Sequence, residues 1–236
     1  MGNHLLCRMN AAPFTLLGFG FLLGIRHAFD ADHIAAVSTI ASKQKSVKKS
    51  SLVGMFWGFG HTISLLLAGF IILLLKITIP EKLALSFEFI VGIMLVFLGV
   101  DVLIKIHRNK IHYHRHRHGK EEHLHFHSHK STKHHQHEHL TYYKSIFIGL
   151  LHGLAGSAAL TLLVLTTINS IWAGLFYILI FGIGSIVGMM LISSIISLPF
   201  TLIPNKLERT GNMLSISAGL TSAIIGLTII YKIVFT

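Results

Sequence analysis

Apolar runs of membrane-crossing length alternate with short polar connections along the 236 residues. A helix needs about 20 residues to cross the hydrocarbon core. Six stretches reach that length, near 12–41, 51–75, 83–106, 144–168, 171–198 and 212–234. The first is too long for one straight span and holds a charged cluster, which predicts a tilt or a break there. The third is interrupted by Glu88 and Asp101, and Asp101 pairs with Lys105 at the ordinary i,i+4 helix spacing. The apolar run behind Met1 to Asn10 continues past a typical cleavage length, so it reads as a span rather than a removable signal. The pattern predicts an all-α integral membrane protein of six transmembrane helices.

The same pattern repeats internally. Gly24-Ile-Arg-His-Ala lines up with Gly149-Leu-Leu-His-Gly, which sets His27 over His152 at an offset of 125. The GFGHTIS string from Gly58 lines up with GIGSIVG from Gly182 at 124, and Gly92, Gly99 and Lys105 with Gly219, Gly226 and Lys232 at 127. Glycine packing of membrane helices explains the glycines, but not the paired histidines. Each copy contains three spans, an odd number, so the two cross the membrane in opposite senses. The expected layout is two inverted three-helix repeats, 1–106 and 144–236, separated by a connection over 107–143. In such repeats a binding site is expected near mid-membrane at their interface.

Composition sharpens this picture. Charged residues make up 12% of the chain, against about 25% in soluble domains, and the mean hydropathy is +0.67. A soluble domain is thereby nearly excluded. The net charge is nevertheless +11, with 18 histidines. Fifteen of the 20 Lys and Arg fall in the connections after the first, third and fifth spans. The excess of positive charge in cytoplasmic loops then sets both termini outside and the large connection inside. Charges interleaved with spans argue against nucleic acid as a partner. Cys7 is the only cysteine, which excludes an intrachain disulfide and a dithiol relay.

The most informative segment is RHAFDADHI, Arg26 to Ile34. An Asp at a span centre costs roughly 2.5–3.5 kcal/mol to insert, so Asp30 and Asp32 need compensation. At about 100° per residue, His27, Asp30 and His33 share an arc of about 120° on a regular helix, with Asp32 on the far side. Either Asp32 faces another partner, or the helix unwinds so that all four converge. Two imidazoles with carboxylates suit a first-row divalent ion such as Ni, Co or Zn, and suit Mg or Ca poorly. The bland alternative is an ion-pair cluster in which Arg26 neutralises both aspartates. His61 and His152 are isolated intramembrane imidazoles, and such a histidine is more often a hydrogen-bonding group than a ligand. Gly58 and Gly60 would let the His61 helix approach the first one. His152 is the counterpart of His27, but Ala155, Ser157 and Ala158 replace Asp30, Asp32 and His33, so the second copy is not a full second site.

Residues 107–139 hold 13 of the 18 histidines, in HYHRHRH, HLHFHSH and HHQHEH runs with little apolar content. Such a tract is expected to be disordered without metal and to bind Ni, Cu, Co or Zn with little selectivity. A solvated positive linker is the alternative.

These motifs resemble the nickel/cobalt transporter family, whose defining R-H-A-x-D-A-D-H-I pattern is matched in full by Arg26 to Ile34. A glycine-histidine-hydroxyl element in the next span is matched by Gly60, His61, Thr62 and Ser64. The usual member has eight spans and a second-half acidic motif of the L-G-F-D-T-A-T-E kind, and this sequence has neither. The six-span layout, GLLHGLAGSAAL from Gly149 and the histidine-rich middle are similar to the urease-accessory-type nickel permease branch.

The resemblance implies a plasma-membrane permease importing nickel or cobalt as transported substrate, with no organic cofactor. A hydrated ion would exchange waters for His27, Asp32 and His33, helped by Asp30 and His61, with His152 as a further donor. A cytoplasmic nickel chaperone or metalloenzyme maturation factor is a conceivable recipient. The competing readings are a nickel/cobalt exporter and a zinc-dependent intramembrane hydrolase using His27, His33, His61 and Asp32. No HExxH motif supports the hydrolase.

Overall fold

In the computed structural model, the described residues are 17–42, 44, 46–77, 79–109, 116–118, 121–123, 136–155, 170–202 and 208–235. They form seven helices: α1 over 17–27, α2 Ala31–Ala41, α3 Val47–Leu75, α4 Glu81–Asn109, α5 Gln136–Gly153, α6 Ile171–Leu202 and α7 Glu208–Phe235. A small antiparallel hairpin, β1 His116–His118 with β2 Glu121–His123, lies between α4 and α5. Four helices, α3, α4, α6 and α7, are long and apolar enough to cross a membrane. Of the other two expected spans, 12–41 is broken into α1 and α2. The stretch 144–168 is helical through Gly153, and its part beyond Ala155 lies outside the described residues. The chain is a membrane protein with many large apolar side chains turned outward: Phe97, Phe147 and Trp172 are mostly exposed.

A backbone in hydrocarbon must satisfy its own polar groups, which favours helices. Hydroxyls follow the same rule. Thr39, Ser86, Ser145 and Ser194 each donate back to a carbonyl three or four residues earlier, at 2.7–2.8 Å. Lys105 donates to Asp101 at 2.8 Å, the surface pair expected from their spacing.

Glycines bring the helices together at backbone distance, and the contacts occur in matched sets. Gly24 of α1 lies against the Phe181 carbonyl of α6, and Gly149 of α5 against the Trp57 carbonyl of α3. Gly184 meets Phe21, and Gly60 meets Ile146. Gly58 packs on Ile186, and Gly182 on Thr62. Gly92 packs on Gly226, and Gly99 on Gly219. In every set the second contact is the first with each residue shifted by 124, 125 or 127 to its sequence counterpart. Residue numbers rise together along α1/α6 and α3/α5, so those pairs are parallel. They run oppositely along α3/α6 and α4/α7, which are antiparallel. The small residues matter because a Cβ at most of these points would strike the neighbouring helix. One buried cluster joins Val37, Trp57, Leu95, Met189 and Ile192, and a second joins Leu65, Ile178 and Phe181.

Candidate metal centre

The helix break after His27 builds the centre. Phe29 N–H donates to the Arg26 carbonyl at 2.9 Å and Asp30 N–H to the His27 carbonyl at 3.0 Å, a tight i→i−3 turn that ends α1. Asp30 then adopts an extended conformation (φ −64°, ψ 147°) as the residue before α2. Its carboxylate forms no cap hydrogen bond to α2. It turns back instead and accepts from His27 Nδ1 at 2.7 Å. Asp32 sits in the first turn of α2, where the positive end of a helix dipole favours an anion. Its Oδ1 accepts from the His33 backbone N–H at 2.9 Å.

The helix breaks here and Asp32 also faces another partner, so each of the two outcomes open on sequence grounds is met in part: Asp32 joins His33 and His152, while Asp30 stays exposed beside His27. Asp32 Oδ1 also lies 3.1 Å from His33 Nδ1, and Asp32 Oδ2 lies 2.9 Å from His152 Nε2 of α5. Asp32 thus joins the two halves of the chain. Ring centroids are 4.5 Å apart for His27–His33, 5.2 Å for His27–His61, 5.4 Å for His33–His61 and 4.1 Å for His33–His152. The glycine contacts explain the convergence: α1 is drawn onto α6, and α5 onto α3 at the level of His61.

Arg26 is exposed, and among the described residues no ion pair joins it to Asp30 or Asp32. Both acids pair with imidazoles. The arrangement in which Arg26 neutralises the aspartates is therefore not the one adopted.

His33, His61 and His152 are buried to 2% exposure or less. His27 Nε2, His33 Nε2, His152 Nδ1 and both nitrogens of His61 are buried with no hydrogen-bond partner among the described residues. Buried polar atoms nearly always have a partner, so five orphan nitrogens in one cluster call for a ligand that they themselves bind. Two sets of donors approach closely enough for one cation: His27, His33 and His61, and Asp32, His33 and His152, each with its ligand atoms within 4.8 Å of one another. Donors bind a shared ion at about 2.1 Å, so closing either set takes shifts of less than about 1 Å per residue.

Two neighbours escaped the sequence reading. Trp57 stacks on His33 (6.0 Å, 18°) and meets His152 edge-on at 5.8 Å. Phe181 lies 5.5 Å from His27. Trp57 was findable, since it sits one helical turn before His61 on the same face. Phe181 is its counterpart at an offset of 124.

A family described as high-affinity nickel-transport protein matches residues 14–236. The urease accessory protein UreH of Bacillus sp. (strain TB-90) is 39% identical over 219 residues, covering 93% of this chain and 92% of that protein. The high-affinity nickel transport protein of Cupriavidus necator is 35% identical over 70 residues, 29% of this chain and 19% of its own length. The nickel transporter NixA of Staphylococcus aureus is 47% identical over 51 residues, 20% of this chain and 15% of its own. No solved structure matches the chain.

Proposed function

This chain belongs to the family of high-affinity nickel-transport proteins, and on that premise we propose that it is a plasma-membrane permease importing Ni2+, with Co2+ as a second cargo. The observation that carries the reading is the buried convergence of His27, His33, His61 and His152 with Asp32, where imidazole nitrogens stand without partners. Imidazoles with a carboxylate match a first-row divalent ion in donor type. Asp30 acts behind them by orienting His27, the usual task of a carboxylate bonded to a ligating histidine.

The architecture proposed is six spans in two inverted repeats, 1–106 and 144–236. Its support is the matched contacts: a pseudo-two-fold axis in the membrane plane generates Gly149–Trp57 from Gly24–Phe181, and Gly99–Gly219 from Gly92–Gly226. Alternating access then follows from one repeat rocking on the other around the cluster. The driving force proposed is the membrane potential or a proton gradient. The histidine-rich connection, 107–143, is assigned to the cytoplasm, where it holds arriving ions. The near-full-length similarity to a protein named for urease accessory function supports delivery to a maturation factor or nickel chaperone. The zinc hydrolase reading has no support from the family or from the names of these relatives.

The deciding measurement is accumulation of radiolabelled nickel, at trace concentration, in cells with and without the protein. Import predicts higher accumulation with the protein, abolished by Asp32→Ala at equal membrane abundance. Lower accumulation with the protein establishes export. Unchanged accumulation, or full uptake by Asp32→Ala, refutes the site.

A further inference from the structure

We infer that the cluster provides two ion positions, occupied one at a time and sharing His33: a three-imidazole position from His27, His33 and His61, and a carboxylate position from Asp32, His33 and His152. This rests on reading the cluster as the route of Ni2+, and it adds a hand-over inside that route.

The hydrogen bonds assign the lone pairs. An ionised carboxylate only accepts, so His27 and His33 carry their protons on Nδ1, facing Asp30 and Asp32, and His152 carries its proton on Nε2, facing Asp32. That leaves the lone pairs of His27 Nε2 and His33 Nε2 unengaged, beside a His61 ring with no partner on either nitrogen; the free lone pair of His152, on Nδ1, is on the ring edge away from Asp32. The three-imidazole position is therefore ready to receive an ion. The carboxylate position is held closed by its own hydrogen bonds. An ion enters it only by replacing them, with His33 then presenting Nδ1 and His152 Nε2, each ring's proton moving to its other nitrogen. A neutral imidazole has one lone pair, so His33 serves one position at a time. Its two tautomers hold the same number of protons, and the exchange requires no net proton.

The surroundings divide the same way. Phe181 covers His27 on the three-imidazole side, and Trp57 covers His152 and His33 on the carboxylate side. Both aromatics occupy the same place in their respective repeats, as do His27 and His152. Because α3 and α6 are antiparallel and cross where Gly58 meets Ile186 and Thr62 meets Gly182, Trp57 and Phe181 lie on opposite sides of that crossing. Each position thus has its own aromatic wall. A neutral and an anionic donor set, side by side, also let an ion enter without being trapped, as conduction through successive weak sites requires.

Trp57 is the natural probe, since Trp172 is the only other tryptophan and lies exposed at the start of α6. In full-length Trp172→Phe protein, quenching of Trp57 emission by Ni2+ reports binding in the cluster, and uptake by proteoliposomes reports transport. His27→Gln is expected to keep saturable quenching, with affinity within about tenfold of the parent, while uptake falls more than about tenfold. His152→Gln behaves likewise, and the isosteric Asp32→Asn tests the same position should His152→Gln fail to fold. The His27→Gln/His152→Gln double variant loses cluster quenching and defines the background from the histidine tract. Loss of quenching together with uptake in folded single variants overturns two positions in favour of one. Parent-level uptake by either variant removes its position from the route. A parent that moves no nickel overturns the permease reading beneath, whereas a parent that moves nickel through one indivisible site overturns only this inference.

Discussion

The segments after Gly24 and after Gly149 share a backbone as far as Asp30 and Ala155 and differ in chemistry. Each begins with a glycine pressed on a neighbouring carbonyl. Each then carries a histidine whose carbonyl accepts from the N–H three residues on, from Asp30 at 3.0 Å in the first half and from Ala155 at 3.1 Å in the second. The first segment continues with Asp32 and His33, turned into the cluster by α2. The second has Ser157 and Ala158 at those places. Four of the five candidate donors thus come from the first half, and His152 alone from the second. Packing is held in common because both halves must close the same helix contacts, whereas ion chemistry needs only one set of ligands at a shared interface.

The sharpest way to break this comparison is at the histidine that the second half lacks. His33→Ala removes a donor from both candidate ion positions and is expected to lower nickel uptake at least about 100-fold, a loss of some 2.7 kcal/mol or more in transition-state terms. Uptake within a few-fold of the parent, measured with labelled nickel at equal abundance, would contradict it. Asp30→Asn keeps shape but weakens the orienting bond to His27, and uptake should fall by roughly 10–100-fold, as for other carboxylates behind ligating histidines. Ala155, its counterpart, has no carboxylate with which to orient His152, and Ala155→Gly should lower uptake far less than Asp30→Asn.

The shared packing is tested by Gly24→Ala and Gly149→Ala. Each added Cβ strikes a backbone carbonyl, at Phe181 and Trp57 respectively, and overpacking of this kind costs about 1–3 kcal/mol. Thermal unfolding in detergent should show comparable losses for the two; a loss confined to Gly24 would mean that the halves are not packed alike. The smallest effect is expected from deleting 107–139. Uptake should persist with a changed dependence on nickel concentration, and complete loss in a stably inserted protein would refute a tuning role. Because protonated imidazole does not coordinate, metal retention by this tract should weaken below about pH 6, checked by comparing nickel retention of the intact and deleted proteins across pH.

Much of this was legible along the chain. Apolar run lengths located α3, α4, α6 and α7, because crossing hydrocarbon imposes a length on any helix. Two aspartates within a span required compensation, and the break between α1 and α2 falls at that point. The offset joining His27 to His152 was visible as spacing. Less legible was the partner of each charge. Arg26 is adjacent to His27 in sequence, yet the aspartates pair with imidazoles, one of them 120 residues away.

The sequence by itself determined that α3, α4, α6 and α7 are helices of spanning length, that the first apolar stretch tilts or breaks at its charged cluster, and which residues have metal-binding donors, because these follow from local hydrophobicity and side-chain chemistry. That α5 starts as early as Gln136, within the histidine tract, was not legible. Only the tertiary structure decided that Asp32 faces His152, that Trp57 and Phe181 cover opposite sides of the cluster, and that five imidazole nitrogens are left without partners. Those outcomes depend on which helices lie backbone to backbone, and that is set by glycine contacts between residues more than 80 positions apart.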